Sequence, residues 1–229
     1  MIKTTSDIWH MRGESMTRIE TFFAAACAFA VTMVIISVGS IPDSLAELVQ
    51  ATKQIPAFVA SFSVLAWVWY THAVWSRRFG LEDAKTVVLS CSLILLILIY
   101  MYPLRIMMQG VFALLTDGYL PGIMEFSEDW QIRFLFMLFG FGFLLMSLNL
   151  VALYAHGKRT PVTPPLSEAE KYEAESEIIT WAATALISVI SLLLAWLLPV
   201  HWVGWAGYTF FLLFPVLISI DIFRRKRAP

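Results

Sequence analysis

The chain has 229 residues, 59% of them hydrophobic and 14% charged, with a formal net charge of −1 and a mean hydropathy of +0.74. A soluble globular domain is nearer half apolar and a quarter charged, so this composition excludes a water-soluble enzyme or binding module. The apolar residues gather instead into six runs of about twenty, the length of helix that crosses a hydrocarbon core.

Taken in chain order, residues 1–20 are polar, and too long and too polar for the charged front of a signal peptide. No small-residue cleavage site follows the first apolar run, so 21–39 is expected to be a retained first span. Steps of three and four place Phe22, Ala26, Phe29, Met33 and Ile36 on one face of that helix. Ala25, Ala28, Thr32, Ile35 and Gly39 fall on an adjacent, smaller face. Small side chains let helices approach closely in lipid. Residues 39–56 are amphipathic and bracketed by prolines, with Leu45, Leu48 and Val49 on one side and Asp43, Glu47 and Lys53 on the other. A short interfacial helix is expected there.

The second and third spans are expected at 56–76 and 86–105. A loop over 106–131 follows, with turn signals at Gly110, Asp117-Gly118 and Pro121-Gly122 and the acidic set Glu125, Glu128 and Asp129. The fourth span, 132–153, carries Phe134, Phe136, Phe139, Phe141 and Phe143, read as lipid-facing and interhelical packing. Residues 154–177 begin as a proline-rich linker. They end in a helix start, with Ser167 as cap and Glu170 three residues on. Glu168, Glu170, Glu173, Glu175 and Glu177 read as the solvated front of that helix, favoured by its dipole. The last two spans, 178–199 and 201–220, are separated by the tight sequence Leu198-Pro199-Val200-His201; a misread turn there would make them one broken element.

The expected organisation is therefore an N-terminal segment 1–20, a six-helix membrane domain 21–220 containing the loop and helix extension 154–177, and a basic tail 221–229. Six spans place both termini on one side. On that side fall Lys3, Arg12, Arg18, Arg77, Arg78, Lys85, Lys158, Arg159, Lys171, Arg224, Arg225, Lys226 and Arg227, against Lys53, Arg105 and Arg133 on the other. The positive-inside rule predicts cytoplasmic termini for this all-α, polytopic fold. Distributed in this way, the basic residues are topology signals and imply no nucleic-acid partner. Cys27 and Cys91, both within spans, read as small buried side chains.

Chemistry is sparse. There is no phosphate-binding glycine loop, no HExxH and no nucleophile elbow. Of the histidines, His10 lies in the polar N-terminal stretch, and His72, His156 and His201 sit near membrane boundaries, far apart in sequence. No catalytic residue, cofactor site or metal site is predicted. No span offers an Asp or Glu at its middle, where a proton or substrate path would need one. The two halves of the chain show no repeat of the inverted-transporter kind, and no TVGYG-type carbonyl filter occurs. Copies of the first span around an axis would form a narrow apolar bore constricted at Phe29 or Met33, gating by losing its water. Packing of both residues against neighbouring helices of one subunit is the other reading of the pattern.

Arg18-Ile19-Glu20-Thr21-Phe22 followed by Cys27-Ala28-Phe29-Ala30-Val31-Thr32 resembles the first span of the transmembrane protein 175 family of lysosomal and bacterial potassium channels. The second span supports this, with Trp69 three residues before His72. So does the third, between Glu82-Asp83 and Tyr102-Pro103. The resemblance is specific over 18–103 and topological beyond. It implies a homotetrameric channel in a bacterial cytoplasmic membrane, permeable to potassium or other monovalent cations. The first helix of each subunit would line the pore, with hydrophobic side chains in place of a carbonyl filter. By position, the family's main constriction falls on Phe29, with Met33 one turn deeper and Phe22, Ala26 and Ile36 on the same lining. Arg18, Glu20, Trp69 and His72 would form the supporting network. Where the family motif continues into Ser and Asp, this chain has Phe23 and Ala24, and its third span offers Ser90, Cys91 and Ser92 but no Asn. Glu20, one turn before Ala24, is within reach of His72, of Arg18 or of water. A non-conducting scaffold or accessory subunit that keeps the channel fold is the alternative expectation.

Overall fold

The structure, a computed structural model, describes residues 9–13, 16–36, 41–122 and 128–227, and among these it contains helices and no strand. The elements are α1 (Arg18–Ile36), α2 (Leu45–Thr52), α3 (Ile55–Phe79), α4 (Ala84–Leu115), α5 (Asp129–Arg159) and α6 (Glu168–Leu197). A final segment runs through a 3₁₀ turn (Val200–Trp202), α7 (Gly204–Tyr208), a second 3₁₀ turn (Thr209–Leu212) and α8 (Leu213–Arg225). Six of the resulting helical stretches are long and apolar enough to span a membrane. Lys3, Gly39 and Glu125 lie outside the described residues.

Local signals account for most boundaries. Ser44 caps α2 by accepting from the Glu47 amide, and Ser167 and Glu170 form the reciprocal capping box expected at the start of α6. Helix α3 begins with a proline in its first turn and ends at Gly80, whose φ of 61° is left-handed. That glycine serves twice. Its amide closes the helix on the Ser76 carbonyl, and a Cβ there would lie 2.9 Å from the Arg12 carbonyl carbon, so a side chain would meet both strain and backbone.

Two expected boundaries move. Helix α4 passes through Pro103 and continues to Leu115, so residues 106–115 are helix rather than loop. A proline in a membrane helix forfeits one backbone bond that its surroundings can make good, and the apolar pattern resumes directly after it. Helix α5 extends past the expected end of its span to Arg159. The last span is segmented, as its two glycines and Pro215 allow, and Pro215 sits in the first turn of α8, where its missing amide is not needed.

Helices α5 and α6 form the most closely packed pair. Helix α4 lies on α5, and α1 packs on α4 and α3. Lipid tails are as apolar as leucine, so fit between helices matters more than burial of oily surface. The fit is tight at Gly142, where a Cβ would stand 2.3 Å from the Tyr100 ring. Phe139 and Phe143 are buried beside Tyr100 and Phe210, whereas Phe134 and Phe141 point outward. Cys27 is buried as expected, but Cys91 is exposed: one residue past the buried Ser90, it lies on the face of α4 turned away from Leu93, Ile94 and Ile97.

Candidate functional site

Helix α1 buries a single stripe. Ile19, Glu20, Phe23, Cys27, Ala30 and Val34 recur at three- and four-residue steps and meet α3 and α4. The expected lining lies largely off this stripe. Phe22, Phe29 and Ile36 are 56%, 54% and 60% exposed, while Ala26 and Met33 are half-buried along its edge. Met33 is partly covered by Tyr102 of α4, whose hydroxyl lies 4.0 Å from the Met33 sulfur. The adjacent small face, Ala25, Ala28, Thr32 and Ile35, is exposed as well. About half of the Phe29 surface is thus left uncovered by the described residues.

Behind the stripe lies His72, 1% exposed. Its Nε2 is 2.9 Å from the Ser90 hydroxyl of α4, and the Phe23 ring stacks on the imidazole with centroids 3.8 Å apart and planes 3° off parallel. A residue that departs from the family motif thus covers the imidazole face, and Ser90 takes up one ring nitrogen. Among the described residues, Nδ1 has no hydrogen-bond partner. The expected companion, Trp69, turns outward and is 41% exposed. Trp75, three residues on the other side of His72, is the buried ring beside it at 6.0 Å, and its indole N–H donates to the Leu153 carbonyl. Both tryptophans flank His72 by three residues, and spacing alone does not say which flank faces the bundle.

Glu20 reaches neither His72 nor Arg18. It is buried, accepts from the Ser76 hydroxyl at 3.3 Å, and stands 3.7 Å from the guanidinium Nε of Arg77. Arg18 is exposed, and its backbone amide donates to Glu82. Of the four expected support residues, His72 and Glu20 are turned inward and Arg18 and Trp69 are not.

At the end of the bundle that holds both the N-terminal segment and the end of α8, charges are more organised than a solvated helix front. The Arg12 guanidinium meets the Glu170 carboxylate through two bonds of 2.9 and 3.0 Å, and Glu170 also accepts from the backbone amides of His10 and Ser167. Arg78 pairs with the half-buried Glu177, and Glu175 bridges Lys158 and Arg224. Glu168 is exposed and pairs locally, with Lys171. Asp83, ahead of α4, takes the His156 Nε2 on both carboxylate oxygens at 3.0 Å and the Thr86 hydroxyl at 2.6 Å. The bond from His156, then that from Thr86, hold its carboxyl down from 3.8 to about 2. No group of three or more metal-ligating side chains forms among the described residues.

Among the buried polar groups that the sequence reading did not foresee are Arg105 and Gln109. Arg105, expected as an outer-side topology charge, is 3% exposed in α4 and donates to the Val34 carbonyl and to Gln54. Its signal was an arginine inside an apolar pattern that does not stop.

Comparison with known proteins adds four findings. The family model described as endosomal/lysosomal potassium channel TMEM175 matches residues 18–103. A protein of Marivirga tractuosa named "Potassium channel" is 26% identical over 229 residues, covering 95% of this chain and 91% of that protein. The crystal structure of a variant of the potassium channel MtTMEM175, in complex with a nanobody–MBP fusion protein, superposes with a TM-score of 0.80 at 22% identity. It covers 95% of this chain and 97% of that one. A lysosomal potassium-selective channel TMEM175 homolog from Chamaesiphon minutus superposes with a TM-score of 0.57 at 15% identity, covering 90% and 96%.

Proposed function

We propose that the chain is a member of the TMEM175 family, whose model matches residues 18–103, and that it is a potassium-permeable channel whose pore is lined by α1 of four identical subunits. That family is a potassium-channel family and not an enzyme class. The relatives named potassium channels carry the activity, and one observation carries the placement of the pore. Phe29, in the middle of α1, leaves 54% of its surface uncovered by its own subunit, on a face angled away from the stripe that meets α3 and α4. In this reading Phe22, Ala26, Phe29, Met33 and Ile36 face the axis, with Phe29 as the constriction and Met33 one turn deeper. Four phenyl rings close a narrower bore than four aliphatic side chains, and an apolar bore excludes ions by dewetting. Rings that turn can offer their negative faces to a passing cation.

The basic residues clustered at the end of the bundle that holds residues 9–13 and the end of α8 support a cytoplasmic location for that end, in the cytoplasmic membrane of a bacterium. His72, Ser90 and Phe23 hold the back of α1, and Glu20 anchors its entrance through Ser76.

Potassium flux into liposomes containing the purified chain tests this. Flux in wild type that rises in Phe29→Ala is the expected outcome. Flux in the mutant alone would mean that the pore is present but plugged. If neither conducts, in protein shown to be folded and tetrameric, the channel reading fails and the scaffold reading replaces it.

A further inference from the structure

The exposed face of α1 has a different helix on each side of it. Along one edge, Val31 and Phe62 of α3 line a shared crevice. Along the other, Met33 meets Tyr102 of α4, whose hydroxyl is 4.0 Å from the sulfur. Between these edges the small residues Ala25, Ala28 and Thr32 lie towards α3, and Phe22 and Phe29 lie towards α4. Both flanking helices carry exposed side chains beside α1. On α3 these are Val59, Phe62 and Trp69, and on α4 they are Cys91, Leu95 and Tyr102. Steps of three, four and seven residues put each set on one stripe. The uncovered surface of the subunit is thus continuous from the α3 stripe, across α1, to the α4 stripe.

A closed ring of identical subunits joins unlike surfaces head to tail. With α1 facing the axis, the α3 side of one subunit turns towards the α4 side of the next. We infer that these two stripes pack against each other between copies of this chain, with Trp69 seated against Cys91 and Leu95 of the next copy. The inference rests on the reading that α1 lines a pore, which is incomplete without this contact. Depth supports the pairing, because rotation about an axis normal to the membrane keeps every residue at its own depth. Within one subunit His72 lies 2.9 Å from Ser90, so these two share a level, and α3 and α4 run in opposite directions. At about 1.5 Å per residue, Trp69 is three residues from that level, Cys91 one and Leu95 five, all in the same direction. Size supports it too, since Trp69 is the largest side chain of its stripe and Cys91 the smallest of the other. Trp69 faces out of its own subunit because its partner belongs to the neighbour.

The native cysteines make this testable, because Cys91 is exposed and Cys27 is buried. The full chain in liposomes is oxidised with copper phenanthroline, and the products are separated by denaturing electrophoresis without reductant. A disulfide forms only where two Cβ atoms come within about 4 Å. In Trp69→Cys each copy presents a new thiol on one side and Cys91 on the other, so a ladder of dimer, trimer and tetramer is expected. Wild type should give no ladder, and adding Cys91→Ser to Trp69→Cys should abolish it. Ile179→Cys is the control. Trp67 stacks on Trp181, which puts the exposed Ile179 of α6 at the depth of Trp69 but on another face, and no ladder is expected from it. Linked dimers in wild type would mean that α4 meets α4, and overturn the inference. So would products of Trp69→Cys that stop at the dimer, an equal ladder from Ile179→Cys, or no product from Trp69→Cys in protein shown to be tetrameric, where lipid would then cover the α3 stripe. If Trp69→Cys does not assemble, the combination of Phe62→Cys, Ile99→Cys and Cys91→Ser decides in its place, with the same ladder expected and its absence overturning the contact. A full ladder in protein that conducts nothing keeps the interface and removes the channel reading. Flux that responds to Phe29→Ala without any ladder does the reverse.

Discussion

At residue 72 a histidine sits in the bundle with one ring nitrogen bonded to Ser90 and a phenyl ring laid flat against it. The family pattern supplies polar groups where this chain has Phe23 and Ala24, so half a network could have been left unsatisfied. The stack with Phe23 covers the imidazole face and a single hydroxyl serves Nε2, while Nδ1 has no hydrogen-bond partner among the described residues. That economy makes Ser90 critical. Ser90→Ala would leave a second buried ring nitrogen without a partner and is expected to cost about 1–3 kcal/mol. The midpoint of thermal unfolding in detergent should fall clearly below that of wild type. Ser63→Ala should barely move it, because that hydroxyl is exposed and bonds only to the carbonyl one turn back. Equal midpoints for the two variants would show that His72 is satisfied in some other way. None of this was legible in the residues, because which side of α3 faces α4 depends on packing between helices. The same ambiguity covers Trp69, which faces outward, and Trp75, which is the ring beside His72.

Element boundaries were legible wherever a local rule decides them and obscure wherever a neighbour does. The Ser167–Glu170 cap, the short α2 and the turn at Pro199 follow from three or four adjacent residues. Helix α4 did not end at Tyr102-Pro103 because a membrane helix tolerates one missing amide bond, and the apolar run carries on to Leu115. The join between the start of α4 and the end of α5 is of the second kind. Asp83 and His156 are separated by 73 positions, and their contact sets a pH dependence whose sign follows from the carboxyl. Its value in the folded chain, about 2, lies below the ordinary 3.8. The contribution is therefore fully present above the ordinary value and is lost as pH falls through about 2. Asp83 is well exposed, its side chain 43% accessible, so solvent screening holds its worth to about 1 kcal/mol or less. Asp83→Asn should be less stable than wild type at neutral pH, and the gap should close as pH falls from about 4 towards 2. A constant difference across that range, followed by thermal unfolding, would mean that the pair does not couple α4 to α5.

For the whole molecule, the six-span topology was plain because two strong signals agree: twenty-residue apolar runs and a bias of basic residues that recurs in every loop. The same polar ends were read as solvent-facing, and there the structure differs most. Residues 9–13 are stitched into the bundle. Trp9 is buried against Phe79, with Arg78 over its ring. The amides of Arg12 and Gly13 both bond to the Arg77 carbonyl. Arg12 also donates to the carbonyls of Pro164 and Pro165 and to that of Arg78 while paired with Glu170. This side chain thus joins the approach to α1, the end of α3 and the start of α6, and no local pattern links residues 158 positions apart. Breaking a buried pair from one side strands the other charge, at a cost of about 3–5 kcal/mol, whereas replacing both partners with apolar residues can be nearly neutral. Arg12→Met is therefore expected to lower the unfolding midpoint sharply and to open residues 9–17 to limited proteolysis. Adding Glu170→Met should restore much of the midpoint, because no carboxylate is then left buried. It should not restore the protease resistance, because the carbonyls of Pro164 and Pro165 still lack their donor. A double variant as unstable as the single one would place the anchoring in Trp9 and the backbone bonds instead.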